Sequence, residues 1–113
     1  MSRLLIRDLA QVATPAGREA PLRAGALGEI DVLELSEAFA AVVLSCLARL
    51  PIPPDVVNPD GGAIAIGHPL GASAARTVVD CARGLRRRGG GFGIAAACIG
   101  VGQGIAVGIE VPA

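Results

Sequence analysis

Asn58-Pro-Asp-Gly-Gly-Ala-Ile-Ala-Ile-Gly-His-Pro-Leu-Gly-Ala-Ser73 is the stretch on which the reading of this chain turns. It passes from a turn (Asn58–Gly62) through a brief apolar segment, Ala63 to Ile66, taken as a short strand, to a Gly-His-Pro junction. A helix follows, predicted from about Leu70 to Arg88. Pro69 suits its first turn, where no N–H partner is lost. Ala72, Ala75, Val78, Val79, Ala82 and Leu85 fall on one side of it, and Arg76, Asp80, Arg83 and Arg87 on the other. Its first half is nearly all small residues, so another backbone can approach it closely. Arg86, Arg87 and Arg88 complement the negative end of the helix dipole, and Gly89 to Gly91 stop the helix.

Working outward, Phe92 to Ile99 and Gly104 to Val111 read as two strands joined by Gly100-Val-Gly-Gln-Gly104. Upstream, Ile30 to Leu35 mixes apolar and acidic residues with the period of a strand. Ser36 then reads as the N-cap of a helix running to about Leu50. That helix is apolar nearly all round, which predicts cover on more than one side. Pro51, Pro53 and Pro54 end it. Leu4 to Val12 is a first strand, and Thr14 to Gly28 a Pro/Gly-interrupted connection with one helical turn. Strands alternating with helices give an α/β layered domain, a five-stranded mixed sheet with helices on both faces. The closing hairpin makes that sheet not wholly parallel.

The chain has 113 residues, which allows one domain. Hydrophobic residues make up 52% and charged residues 18%, a balance that excludes intrinsic disorder. Net charge is zero, so nothing draws the chain to nucleic acid or to an anionic membrane. Phe39 and Phe92 are the only aromatics, which removes the stacking platforms of single-strand binders. The N-terminal apolar run is broken by Arg7 and Asp8 and does not make a secretory signal. Gly89 to Ile109 is uncharged, but its glycines read as two strands around a turn rather than a membrane span. Cys46, Cys81 and Cys98 form no CxxC, and there is one His, so neither a metal site nor a disulfide framework is expected. The expectation is a reduced cytoplasmic protein without a tightly bound cofactor.

Gly100-Val-Gly-Gln-Gly104 joins two strands, so it is a hairpin turn and not a dinucleotide-binding loop. The glycines before His68 lack the Lys-Ser/Thr ending of a phosphate loop. His68 sits at a strand-to-helix junction, where a side chain projects into a cleft, and imidazole serves as a base near neutral pH. A lone His is more often structural, and a lone Cys such as Cys98 more often inert core. Together, each beside a glycine turn, they point to thiol or acyl chemistry. The residues by themselves leave both readings open.

Three segments, Glu37-Ala-Phe-Ala40, Asn58 to Ser73, and Cys98-Ile-Gly-Val-Gly-Gln-Gly104, resemble the C-terminal domain of thiolases, the acyl-CoA C-acyltransferases. The resemblance is strong over 28–110 and weak over 1–27, with 1–113 taken as one domain of this type. It implies that His68 activates a nucleophilic cysteine and helps bind the thioester oxygen. It implies that Cys98 is the acid/base that moves the substrate α-proton, and that the Gly100 N–H lines an oxyanion hole. It implies a coenzyme A thioester as substrate. Where the family motif begins with Asn, which holds an oxyanion-hole water, this chain has Ser36; a hydroxyl reaches less far, and a helix cap explains it equally well. The family's acyl-accepting cysteine and the loop gripping coenzyme A lie in segments that have no counterpart here. Cys46 and Cys81 fall mid-helix in apolar surroundings and read as core. Glu37 is explained by the first helical turn, Phe39 by core packing, and Arg86 to Arg88 by a solvated helix end. The implied partner is an N-terminal thiolase half or a second copy of the chain. The alternative is a non-catalytic assembly module or a truncated, inactive product.

Overall fold

Val32–Leu35 forms strand β1, and every one of its four residues is buried. A strand covered on both faces needs layers above and below it, and the rest of the chain supplies them. The description rests on a computed structural model and covers residues 30–113. The expected first strand, Leu4 to Val12, and the connection Thr14 to Gly28 lie outside the described residues.

After β1 come helix α1 (Ala40–Leu47), a 3-10 turn (Pro54–Val56), the single helical turn α2 (Ala63–Ile66) and the long helix α3 (Leu70–Arg87). The chain closes with strands β2 (Gly91–Ile99) and β3 (Gln103–Val111). Among the described residues the sheet has three strands in the order β1-β2-β3. β1 runs parallel to β2, with Val32 beside Gly93 and Leu35 beside Ala96. β2 and β3 are an antiparallel hairpin, with Gly91 opposite Val111 and Ile99 opposite Gln103. The mixed sheet and the hairpin match the expectation, but of the four strands expected among the described residues three are present. Ala63 to Ile66, taken as a short strand, is helical, with Gly67 N–H bonded to the Ala63 carbonyl at 2.8 Å. Val57 supplies only an isolated parallel bridge to Leu33.

Two apolar layers fill the two faces of the sheet. Val32, Ala95 and Ile109 pack against Cys81 and Leu85 of α3. Ile30, Leu33, Leu35, Phe92 and Ile94 pack on the other face with Ile52, and Val43 and Cys46 of α1 lean on them. Helices on both faces are therefore present.

Three local expectations need correction. First, the helix after β1 starts at Ala40 and not at Ser36. Phe39 holds the N-cap position without a side-chain bond, and Ser36 N–H still pairs with Ala96 O at 2.8 Å, one step beyond β1. Sheet pairing outcompetes the cap. Second, α1 is not covered on several sides, for none of its residues is buried. Third, α3 turns a partly different stripe to the sheet: Leu85 is buried as expected, with Val78 and Ala82 packed beside it, but Ser73, Thr77, Cys81 and Gly84 are buried too. Ala72, Ala75 and Val79 are exposed instead. Close approach explains the rotation. A Cβ on Gly93 would sit 2.6 Å from Cys81 Sγ and 3.2 Å from Leu85 Cδ1, so the helix lies close over β2 at this point.

Candidate active site

The site candidates collect at one edge of the sheet, and topology dictates which. β1 and β2 are parallel, so Ser36, just past β1, and Cys98, next to last in β2, lie at the same carboxyl edge. Only residues 88–90 separate α3 from β2, so α3 runs back against the strand. Its beginning, with His68 two residues before Leu70, therefore lies at that edge too. Gly100 is in the hairpin turn that closes it. The carboxyl edge of the strands is where open α/β sheets bind ligands.

Side chains from distant positions tie this edge together. Asn58 has φ 45°, a left-handed conformation that Asn tolerates because its short side chain bonds locally. Its Oδ1 accepts the Leu35 N–H at 2.7 Å, its Nδ2 donates to Leu35 O at 3.2 Å, and its own N–H donates to Leu33 O at 2.8 Å. The side chain thus pairs with the end of β1 as a neighbouring strand would. The second Nδ2 proton goes to Glu37 Oε1 at 2.8 Å. Glu37 Oε2 accepts the Ile64 N–H at 2.8 Å, which fixes α2 against the segment after β1. A Cβ on Gly62 would displace that carboxylate from its two hydrogen bonds. Glu37 is therefore not a first-turn helix charge; α1 has no acidic residue in its first turn.

The strap that follows places His68. Gly67 has φ 97°, which turns the chain between α2 and α3. Arg76 donates to Gly67 O at 2.8 Å, holding that peptide from the helix side. The His68 ring is exposed, and its Nδ1 lies 2.7 Å from Ser73 Oγ. Its partner is Ser73, not Cys98. Cys98 is an exposed free thiol. Gly100 is exposed and has open space where a Cβ would be. Beside it, Val101 takes φ 60° and is 98% exposed, an unusual conformation for a β-branched residue.

The remaining expected roles sort as follows. Cys81 is fully buried, and burial followed by the Glu34 charge pushes its thiol up to about 12, so it stays an inert core thiol. Cys46 is half-buried against the core. Phe39 is not core: it is 74% exposed, three residues past Ser36. Arg86 to Arg88 form an exposed helix end, with Arg87 paired to Asp60. Among the described residues, no group of His, Cys, Asp and Glu assembles as a metal site, and no helix is long and apolar enough to cross a membrane.

Sequence reasoning missed Asn58, Ser73 and Arg76 as site-building residues, and it gave Glu37 a lesser part. Asn58 left a trace, since an Asn opening an Asp-Gly-Gly turn signals a positive φ. Ser73 left a fainter one, as the polar residue in an otherwise apolar helical turn.

Comparison with known proteins gives a consistent result. The family description "Thiolase, C-terminal domain" matches residues 8–111. The chain is 50% identical over 99 residues to the 3-oxoadipyl-CoA/3-oxo-5,6-dehydrosuberyl-CoA thiolase of Escherichia coli, covering 85% of this chain and 25% of that protein. It is likewise 50% identical over 97 residues to the cytosolic acetyl-CoA acetyltransferase of Rattus norvegicus, covering 85% and 24%. The human mitochondrial 3-ketoacyl-CoA thiolase, solved in complex with CoA, superposes with a TM-score of 0.69 at 45% identity, covering 75% of this chain and 22% of that one. The chain thus spans about a quarter of the length of the relatives it matches.

Proposed function

The chain belongs to the thiolase family, as a C-terminal domain, and from that premise we propose that it is the half of an acyl-CoA acyltransferase that carries the histidine and the acid/base cysteine. The reaction is acyl transfer between coenzyme A thioesters, run as Claisen condensation or as thiolysis of a 3-ketoacyl-CoA. The observation that carries the reading is the convergence of His68, Cys98, Gly100 and Ser36 on the carboxyl edge of the parallel strand pair.

Each residue has a task that its place permits. The nucleophilic thiol lies in the other half, since Cys81 is sealed in the core and Cys46 leans on it. His68 takes the proton of that thiol, and the resulting thiolate attacks the thioester carbonyl. Cys98, exposed at the strand end, removes the α-proton in condensation and returns it in thiolysis. The Gly100 N–H, in a turn without side-chain cover, stabilises the oxyanion of the acyl-enzyme step. Ser36 takes the place of the water-holding amide, with a shorter reach. The coenzyme A thioester is the substrate, and the residues call for no resident cofactor. The reading places the chain in the cytoplasm, where the exposed Cys98 remains reduced.

Labelled acetyl-CoA tests the division of labour. Mixed with an N-terminal thiolase half, the pair should carry the label on the N-terminal half and none on Cys46, Cys81 or Cys98. Absence of label from both chains would favour the second reading, a non-catalytic assembly module. Ser36 in place of an amide is the observation that keeps that reading in view.

A further inference from the structure

His68 Nδ1 lies 2.7 Å from Ser73 Oγ, and the same hydroxyl lies 3.0 Å from Pro69 O. A serine hydroxyl carries one proton, and a carbonyl oxygen only accepts. Two oxygens this close need a proton between them, so the Ser73 hydrogen points to Pro69. Bonding back to the carbonyl four residues earlier is a common habit of helical Ser. The same carbonyl also accepts the Ala72 N–H and the Ser73 N–H, each at 2.9 Å. The hydroxyl lone pairs are left facing the imidazole. The proton in the 2.7 Å contact must then come from the ring.

We propose that Ser73 is a positioning residue that holds neutral His68 as its Nδ1–H tautomer and leaves Nε2 as the basic nitrogen. Burial supports the arrangement. Ser73 is 2% exposed and fixed within α3, whereas His68 is exposed, so the ring is anchored at Nδ1 by a buried side chain. Arg76 steadies the peptide before the ring through Gly67 O, and Asp80 lies 3.9 Å from the Arg76 guanidinium. The use of Nε2 to take a thiol proton rests on the acyl-transfer reading; the tautomer itself does not.

The chain has one His, so a single labelled side chain reports the answer. The full chain, labelled with 15N-histidine, is measured by NMR at a pH where the imidazole is neutral. The proposal expects Nδ1 to carry the proton and Nε2 to show the shift of an unprotonated nitrogen. Ser73→Ala should move the tautomer ratio toward Nε2–H by about tenfold, the equivalent of about 1.4 kcal/mol from one lost hydrogen bond. A wild-type ring protonated at Nε2 would overturn the proposal without any variant. An unchanged ratio in folded Ser73→Ala would overturn it as well. Loss of the acyl-transfer reading with the Nδ1–H form intact would leave the tautomer standing, so the two fail separately.

Discussion

Glu34 of β1 is buried, in register with Ala95, and its Oε1 has no hydrogen-bond partner among the described residues. Burial, then the charges of Asp80 and Glu37, push its carboxyl up to about 7 from 4.5, against the opposing pull of Arg76 and Arg87. Between those values the folded chain keeps a proton that the unfolded chain has lost, so stability falls as pH rises from about 4.5 to about 7. Glu34→Gln should flatten that slope and raise stability at pH 8 by about 3 kcal/mol, checked by urea midpoints across the range. Val101 is the other strained residue. Its left-handed backbone costs about 1–2 kcal/mol in a β-branched residue, and nothing covers its side chain. Val101→Asn should therefore stabilise the fold by about 1 kcal/mol in the same assay. Residues of this kind divide what the sequence makes legible. His68 and Cys98 stand out because each is chemically distinctive beside glycine. The clamp of Asn58, Glu37 and Ile64 does not, because Glu37 lies 21 residues from Asn58 and 27 from Ile64 and meets them only after folding.

The elements were legible where period and punctuation agree. α3 begins and ends within a residue of its expected bounds, because proline and glycine mark both ends. The β2–β3 hairpin is where its glycine turn puts it. The buried stripe of α3 was not legible, since periodicity ranks residues by hydropathy while this interface selects for width. Cys81 and Gly84 face Gly93 and Val32 beside the expected Leu85, while Val79 is turned away. Gly93→Ala tests that account. Its new methyl would lie 2.8 Å from Val32 O and 3.2 Å from Leu85 Cδ1, so the variant should lose about 2 kcal/mol through overpacking. A stability equal to wild type would show the helix and sheet to be more loosely packed than drawn. α1 misled for a different reason. Its all-round apolar pattern predicts cover on more than one side, and among the described residues only the face carrying Val43 and Cys46 rests on the core.

At the scale of the whole molecule, that missing cover has a consequence. Phe39, Leu44, Ile64, Ile66 and Leu70 are all exposed, with Leu70 at 85%. They lie at the N-cap of α1 and on it, on α2 and at the beginning of α3, around the carboxyl edge that holds His68. Apolar surface on this scale drives association. In the absence of an N-terminal half the chain should self-associate, and light scattering at micromolar concentration should show a mass above the monomer. On the acyl-transfer reading proposed above, the same surface is what an N-terminal thiolase half would bury. The most direct measurement is acetoacetyl-CoA thiolysis by the chain mixed with an N-terminal thiolase half. Activity should appear on mixing and vanish in both His68→Ala and Cys98→Ala. Activity that survives either substitution, or none in the wild-type mixture despite a stable complex, would contradict the assignment of this chain as the half that carries the base and the acid.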